Sequence, residues 1–386
     1  MDFGLKKDQE LIKKSAREFF DKECPKDKVR ELREDPKGYD PNMWKKMISL
    51  GFLGLVIPEK YGGTEGEFID LMLFMEEIGR NLVPSPFFST VVLCGMPILE
   101  FGTDEQKDTL LPQIAEKGKI WSFAQAEQLA NHEPEDIQLE AVLGNKEYTL
   151  NGTKLFVPYA SSASFFLVVA RTSKTDNSEE GISLFIVDAK TEGISIDIIP
   201  TVARDNSCEV KFENVKVPED NILGERDKGW KIVDYILQNS AVLKAAEMSG
   251  GAQAAFSIVN KYAKERKQFD KPIGSLQSVQ FTLVDLLTDI DELKYLVHEA
   301  AWHIQSGNPS RKLNSMAKAK ANAVYHDIGY YGIFLHGAIG WTEEMDIGLY
   351  HLKTRSLTFE GGGTDLHMEK IAKELESYQP DFLSLK

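Results

Sequence analysis

Glu247 is the residue in this chain whose setting most invites chemistry. It sits among Ala245, Ala246, Met248 and Gly250, and a carboxylate in an apolar run is rare unless it is paired or functional. Desolvation raises the pKa of such a group toward working pH, where it can serve as a general base. Glu360 is the second candidate. It stands in Phe359-Glu360-Gly361-Gly362-Gly363-Thr364, ahead of the last helical stretch, where a carboxylate also serves as a helix cap. The three glycines look like a phosphate loop at a glance, but no strand precedes them, so the dinucleotide fingerprint is not written here. HExxH, DxDxDG, GxSxG and Walker-A patterns are absent. The seven histidines show no i, i+4 pairing, so no metal site is expected.

Composition narrows the partners. Acids outnumber bases 60 to 45, for a net charge of −15. That balance argues against a nucleic-acid binder, which needs a cationic face, and against adhesion to anionic membranes. Cys24, Cys94 and Cys208 lie far apart with no CxxC pair, which reads as three reduced thiols in a cytoplasmic protein. The opening 20 residues scatter charges and lack the apolar stretch of a signal peptide. The longest apolar runs, such as 165–170, fall far short of the ~20 residues that span a bilayer.

The elements that must position these groups follow from periodicity. At about 150 residues per domain the length allows two to three domains. Residues 1–120 read as helical: Leu11, Ile12, Ala16, Phe19 and Phe20 form one stripe, Pro41 starts a second helix, and Leu71–Ile78 form a third stripe ended by Gly79. Thr103 and Gln106 fit a capping box. Residues 121–225 turn to short β-branched and aromatic runs and read as a small β-barrel or sandwich. Asn151-Gly152 between two such runs predicts a hairpin turn, and an irregularity is expected near Glu213-Asn214. Residues 226–386 read as an antiparallel four-helix bundle, with a nearly seven-residue repeat from Leu276 to Ile304.

Four strings then carry a resemblance. Tyr262-Ala263-Lys264-Glu265-Arg266-Lys267-Gln268-Phe269, continuing to Pro272-Ile273 and Gln277, resembles the YAxxRxQFGxPIxxFQ signature of acyl-CoA dehydrogenases. His336-Gly337-Ala338-Ile339-Gly340-Trp341-Thr342-Glu343 resembles their HGGxGYTxE segment, and Glu209 to Pro218 with Gly224 and Gly229-Trp230 resembles their EVxFdnVxVP stretch. Ile57-Pro58-Glu59-Lys60-Tyr61-Gly62-Gly63 is similar to their vPExyGG turn. The family resemblance implies an N-terminal helical domain, a central β domain and a C-terminal four-helix bundle. It implies FAD, an acyl-CoA substrate, electrons leaving to an electron-transferring flavoprotein, and a homotetramer. A run similar to the KxFVP strand points to the branch with small subunits of heteromeric enzymes, hence an α2β2 tetramer with a related chain.

By the same resemblance Arg266 reaches the FAD pyrophosphate across a dimer contact, or else complements a helix end. Phe269 and Gln277 match adenine-side positions, and Gly337 and Gly340 match glycines that admit the cofactor to the backbone, or else end a helix. Thr364 caps the last helix, with or without cofactor oxygens at its N–H groups. Phe123 and Gln125 lie in the flavin segment, where Ala126 replaces a threonine; Phe156 can stack on the flavin, and Pro158 has no N–H to donate to it. Three alternatives stand for the base: Glu360, one residue out of ungapped register; Glu247, seven residues and about 10.5 Å beyond Ser240 on one helix; or a base from elsewhere, with no dehydrogenation at this subunit's site as the remaining case. Activity is accordingly expected as α,β-dehydrogenation of an acyl-CoA, with a non-catalytic partner subunit or a variant flavin reaction as alternatives.

Overall fold

The computed structural model describes residues 4–376. In chain order it contains α1 (Lys7–Glu23), α2 (Lys26–Glu34), α3 (Pro41–Ser49), α4 (Phe68–Asn81), α5 (Met96–Phe101) and α6 (Asp104–Ala115). The strands β1 (Trp121–Ala124), β2 (Glu140–Leu143), β3 (Glu147–Pro158), β4 (Phe165–Arg171), β5 (Ile182–Asp188), β6 (Ile194–Ile199), β7 (Ser207–Pro218) and β8 (Ile222–Leu223) follow. Then come α7 (Trp230–Glu265), a short ladder of β9 (Lys267–Gln268) and β10 (Lys271–Pro272), and α8 (Gln277–Gln305), α9 (Arg311–His336), α10 (Ile347–Leu357) and α11 (Thr364–Glu376). The helical, sheet-containing, helical order is the one expected. The chain divides into a sheet unit, residues 19–71 and 83–240, and a bundle unit, formed by residues 4–18, 72–82 and 241–376.

In the sheet unit one mixed sheet runs β6-β7-β3-β2-β4-β5-β8, with β1 parallel to β4. Its buried face carries Tyr148, Leu150, Phe166, Val168, Phe185, Val210 and Phe212. Asn151-Gly152 does not turn the chain: β3 passes straight through it. Leu150 pairs with Val215 and Gly152 with Phe212, so two residues of β7, Glu213 and Asn214, oppose Asn151. This is the irregularity expected at that point, a β-bulge. Asn214 takes a φ of 55°, and its N–H donates to Asn151 Oδ1 at 2.8 Å. Gly152 has its own reason, because a Cβ there would lie 2.9 Å from Leu139 Cγ. The dipeptide tolerates unusual backbone, and here a bulge rather than a reversal uses that tolerance.

Helix boundaries largely match the expectations. Asp40 caps α3 by accepting from Asn42 N, with Pro41 in the first turn. Thr103 and Gln106 close a reciprocal capping box on α6. Leu11 departs from its stripe, being 61 % exposed while Ala16 and Phe20 are buried.

In the bundle unit Gly79 does not end α4, which continues to Asn81. The missing side chain admits another helix: a Cβ on Gly79 would fall 1.7 Å from Glu247 O, and one on Gly250 would fall 1.8 Å from Glu76 O. Two glycines, one on each helix, thus let α4 and α7 cross at backbone contact. Within the bundle α9 packs against α8, α10 and α11. α8 buries Val279, Leu286, Ile290, Leu293, Val297 and Ala300 at the expected spacing.

Candidate active site

Two elements of the bundle unit bring both candidate carboxylates to one lysine. On α7, Lys244 and Glu247 are three residues apart and share a helix face. Lys244 Nζ donates to Glu247 Oε2 at 2.8 Å and lies 2.6 Å from Glu360 Oε2, in the loop between α10 and α11. Lys244 and Glu247 are buried, whereas the Glu360 side chain is 36 % exposed. Burial disfavours charge on Lys244, but Glu247 and Glu360 outweigh it and raise its pKa, so it stays an ammonium. Burial also opposes ionisation of Glu360, yet Lys244, then Lys353, hold its carboxyl down at about 2.

α9 supplies the rest of the setting. Lys318 is fully buried, and burial pushes its pKa down to about 7. Its ammonium donates to Asn322 Oδ1 at 2.6 Å, Leu357 O at 3.0 Å, Gly362 O at 3.1 Å and Thr358 O at 3.2 Å. Asn322 Nδ2 donates to Gly362 O at 3.4 Å and to Thr364 Oγ1 at 3.3 Å. Thr364 therefore opens α11 beside the loop that carries Glu360. Sequence reasoning passed over Lys244, Lys318 and Asn322. One signal was present for Lys244, a cation inside the apolar run 241–248.

The sheet unit gathers a second group. Lys154 is fully buried on β3 and donates to Gln125 O at 3.0 Å and Glu127 Oε1 at 2.6 Å. Glu127 also accepts from Gln138 N and Leu139 N, each at 3.1 Å. Leu155 N donates to Ala126 O at 2.8 Å, and Ser122 Oγ donates to Pro158 O at 2.6 Å. These bonds hold the segment after β1 against the end of β3, so Phe123, Gln125, Phe156 and Pro158 share one corner of the sheet. Phe123 and Gln125 are buried there, with His132 Nδ1 3.3 Å from Gln125 Oε1. Phe156 sits in a second bulge with a φ of 53°, which leaves its ring 53 % exposed.

The remaining predicted residues lie where α7 gives way to α8 and where α9 ends. Tyr262 stacks on His336 at 4.1 Å between ring centroids, and its hydroxyl reaches His336 O at 3.4 Å. Arg266 N donates to Tyr262 O, so this stack brings the Arg266 turn to the Gly337 segment. Arg266 is exposed. Gly337 has a φ of 67°, and a Cβ there would meet nothing within 4 Å. Gly340 is instead packed, with a Cβ falling 2.9 Å from the His336 side chain. Phe269 projects from the β9–β10 turn at 83 % exposure, where it and Asp270 both take left-handed backbone. Gln277 starts α8 and is exposed.

Known proteins match along the whole length. The family models described as acyl-CoA dehydrogenase N-terminal, middle and C-terminal domains match residues 6–118, 122–215 and 227–376. The probable acyl-CoA dehydrogenase YngJ of Bacillus subtilis (strain 168) is 32 % identical over 382 residues, covering 97 % of this chain and 100 % of that protein. The chain belongs to the acyl-CoA dehydrogenase family. Caffeyl-CoA reductase-Etf complex subunit CarC of Acetobacterium woodii is 32 % identical over 367 residues, covering 94 % of this chain and 96 % of its own. The solved structure of butyryl-CoA dehydrogenase from Megasphaera elsdenii has a TM-score of 0.91 at 30 % identity, covering 97 % of this chain and 100 % of that one. The protein is an oxidoreductase of this family, which is FAD-dependent.

The donor set fits such a cofactor in part. Taken unit by unit, the chemistry suits a flavin dinucleotide: the sheet unit offers an exposed aromatic face at Phe156, and the bundle unit offers an exposed guanidinium at Arg266 and an open backbone at Gly337. Pro158 is the exception: it has no N–H, and its carbonyl is already engaged by Ser122. Among the described residues no cluster of three or more metal-ligating side chains occurs, and no helix is long and apolar enough to cross a membrane.

Proposed function

We propose that this acyl-CoA dehydrogenase uses Glu360 as the base that removes the α-proton of an acyl-CoA thioester. The observation that carries the reading is the unequal exposure of two carboxylates on one lysine. Glu360 is 36 % exposed and stands on a loop, whereas Glu247 is buried on α7. A base must reach its proton at hydrogen-bond range, and only the loop carboxylate is free to approach a ligand. Glu247 then serves as the standing counter-ion of Lys244. When Glu360 turns to the substrate, Lys244 keeps a partner, and Glu360 leaves an ion pair that otherwise suppresses its basicity. The α-proton passes to Glu360 Oε, the Cα–Cβ bond becomes double, and the β-hydrogen departs with its electron pair. Bound FAD supplies the acceptor for that pair.

Phe123, Gln125 and Phe156 are proposed to line the flavin; Arg266 is proposed to reach a pyrophosphate across a dimer contact, with Phe269 and Gln277 at the adenine side, Gly337 admitting the cofactor to the backbone and Thr364 offering N–H groups to cofactor oxygens. Gly340 supports this group through His336. The proposed domain division is 1–120, 121–225 and 226–386. Electrons are proposed to pass to an electron-transferring flavoprotein, as the name of the CarC relative suggests. The exposed apolar side chains Phe281, Val284, Tyr295 and Trp302 along α8 suit association into a tetramer, either of one chain or with a related one.

The test compares FAD-loaded Glu360→Gln and Glu247→Gln. Bleaching of the flavin spectrum by a panel of saturated acyl-CoA thioesters is expected to vanish in the first. In the second it persists, with its pH dependence moved to lower pH. Loss in Glu247→Gln at every pH, with Glu360→Gln active, would reverse the assignment. A second reading has one observation behind it: Pro158 replaces a backbone donor beside the flavin. On that reading the chain completes a sister chain's site through Arg266 and 337–340. Copurification with a distinct homologue, and activity sensitive to Arg266→Ala but not to Glu360→Gln, would favour it.

A further inference from the structure

The loop 358–363 contains three glycines, which by themselves leave a carboxylate free to wander. Its carbonyls nevertheless are held from one side. Leu357 and Thr358 end α10, where carbonyls have no partner within the helix and the macrodipole is negative. Gly362 lies two residues beyond Glu360. A single buried ammonium, Lys318 Nζ, takes all three oxygens at 3.0–3.2 Å. Asn322, one turn along α9, accepts from that ammonium and donates to Gly362 O. His367 Nε2 lies 2.8 Å from the carbonyl between them, Gly361 O. A lysine that merely caps a helix works as well from the surface, with its charge in water. Lys318 is instead fully buried, against the desolvation cost of its charge. That cost needs another reason, and the place the ammonium secures supplies one.

We infer that Lys318, supported by Asn322, is a positioning residue for proton abstraction: it pins the chain on both sides of Glu360 and so fixes where the base meets the substrate. This rests on the reading of Glu360 as the base. Misplacing a reacting group by about 1 Å costs up to ~100-fold in rate, so a loosened loop is read in kcat and not in substrate affinity.

The test uses FAD-loaded Lys318→Met and Asn322→Ala, with Glu360→Gln in parallel, and the saturated acyl-CoA that the unmodified enzyme turns over fastest. Lys318→Met is expected to lower kcat and α-proton exchange into D2O at least about tenfold. KM and flavin content should stay within about twofold, and amide hydrogen exchange should rise over 357–363 but not over α7. Asn322→Ala should move the same readouts less, and it carries the test if Lys318→Met does not fold. Variants that hold flavin, exchange their loop amides faster and keep the unmodified kcat would overturn the inference. Full activity in Glu360→Gln would overturn instead the reading on which it rests.

Discussion

Gly79 and Glu247 meet backbone to backbone, since a Cβ on Gly79 would stand 1.7 Å from Glu247 O. The position of the helix that carries Lys244 and Glu247 thus depends on the missing side chains of Gly79 and Gly250. Gly79→Ala should force α4 and α7 apart, and overpacking of this kind costs about 1–3 kcal/mol or more. The expected outcome is a Tm lowered by several degrees together with weakened flavin bleaching, read by thermal unfolding and titration on the same sample. Gly250→Ala, which meets Glu76 O, should behave alike, and an unshifted Tm in both would refute the crossing.

Lys244→Met removes the shared counter-ion. Glu360 then loses the largest of the charges that hold its carboxyl at about 2, with Lys353 remaining, and faces a second carboxylate, so its pKa rises. With Glu360 as the proposed base, the acid limb of kcat/KM is expected to move toward neutral pH, because a base works only when ionised. A profile of kcat/KM against pH checks this. Breaking a buried pair also destabilises, by about 3 kcal/mol, so the profile is taken well below the variant's Tm.

Glu76 contributes to acid stability in the bundle unit. Burial opposes its ionisation, but the hydrogen bond with His298 and the charge of Lys13 win and lower its pKa from 4.5 to about 2. A depressed folded-state pKa stabilises above the unfolded value and is lost as pH falls through the folded one. The contribution therefore is complete above about pH 5 and fades toward pH 2. Glu76→Gln should be less stable at neutral pH and flatter across that window, as measured by urea unfolding at several pH values.

Lys154 is the buried cation of the sheet unit. Burial lowers its pKa to about 8 against the pull of Glu127. Lys154→Met leaves the Glu127 carboxylate without its cation and should cost about 3–5 kcal/mol. It should also release the 125–127 segment, so flavin is lost on gel filtration before the fold is. Retention of flavin at reduced stability would remove that segment from the cofactor site.

The sequence is most legible where one residue type has one physical use. Pro41 and the Thr103–Gln106 box set helix starts, and β4 and β5 follow from unbroken apolar runs. Legibility fails where one letter serves two ends. Gly79 suits a helix stop and a helix crossing equally, and Asn151-Gly152 suits a turn and a bulge. Only the partners, Glu247 O in one case and Asn214 N in the other, decide. The site divides in the same way. Glu247 stands out because a carboxylate in an apolar run is anomalous. Lys318 does not, because Lys318 and Lys320 lie two residues apart in similar surroundings. Lys320 pairs with Asp289 and Glu292 at the bundle's edge, while Lys318 points the other way, into the fold.

The second bulge in β3 has a consequence for how this protein tolerates drift. An aromatic residue at a φ of 53° occupies a basin that glycine enters without penalty and other residues enter at about 1 kcal/mol or more. Phe156 therefore makes its sheet a little less durable than glycine would. Random variation screened for heat resistance alone would be drawn to discard the ring; on the proposal that Phe156 lines the flavin, a screen that rewards turnover would keep it.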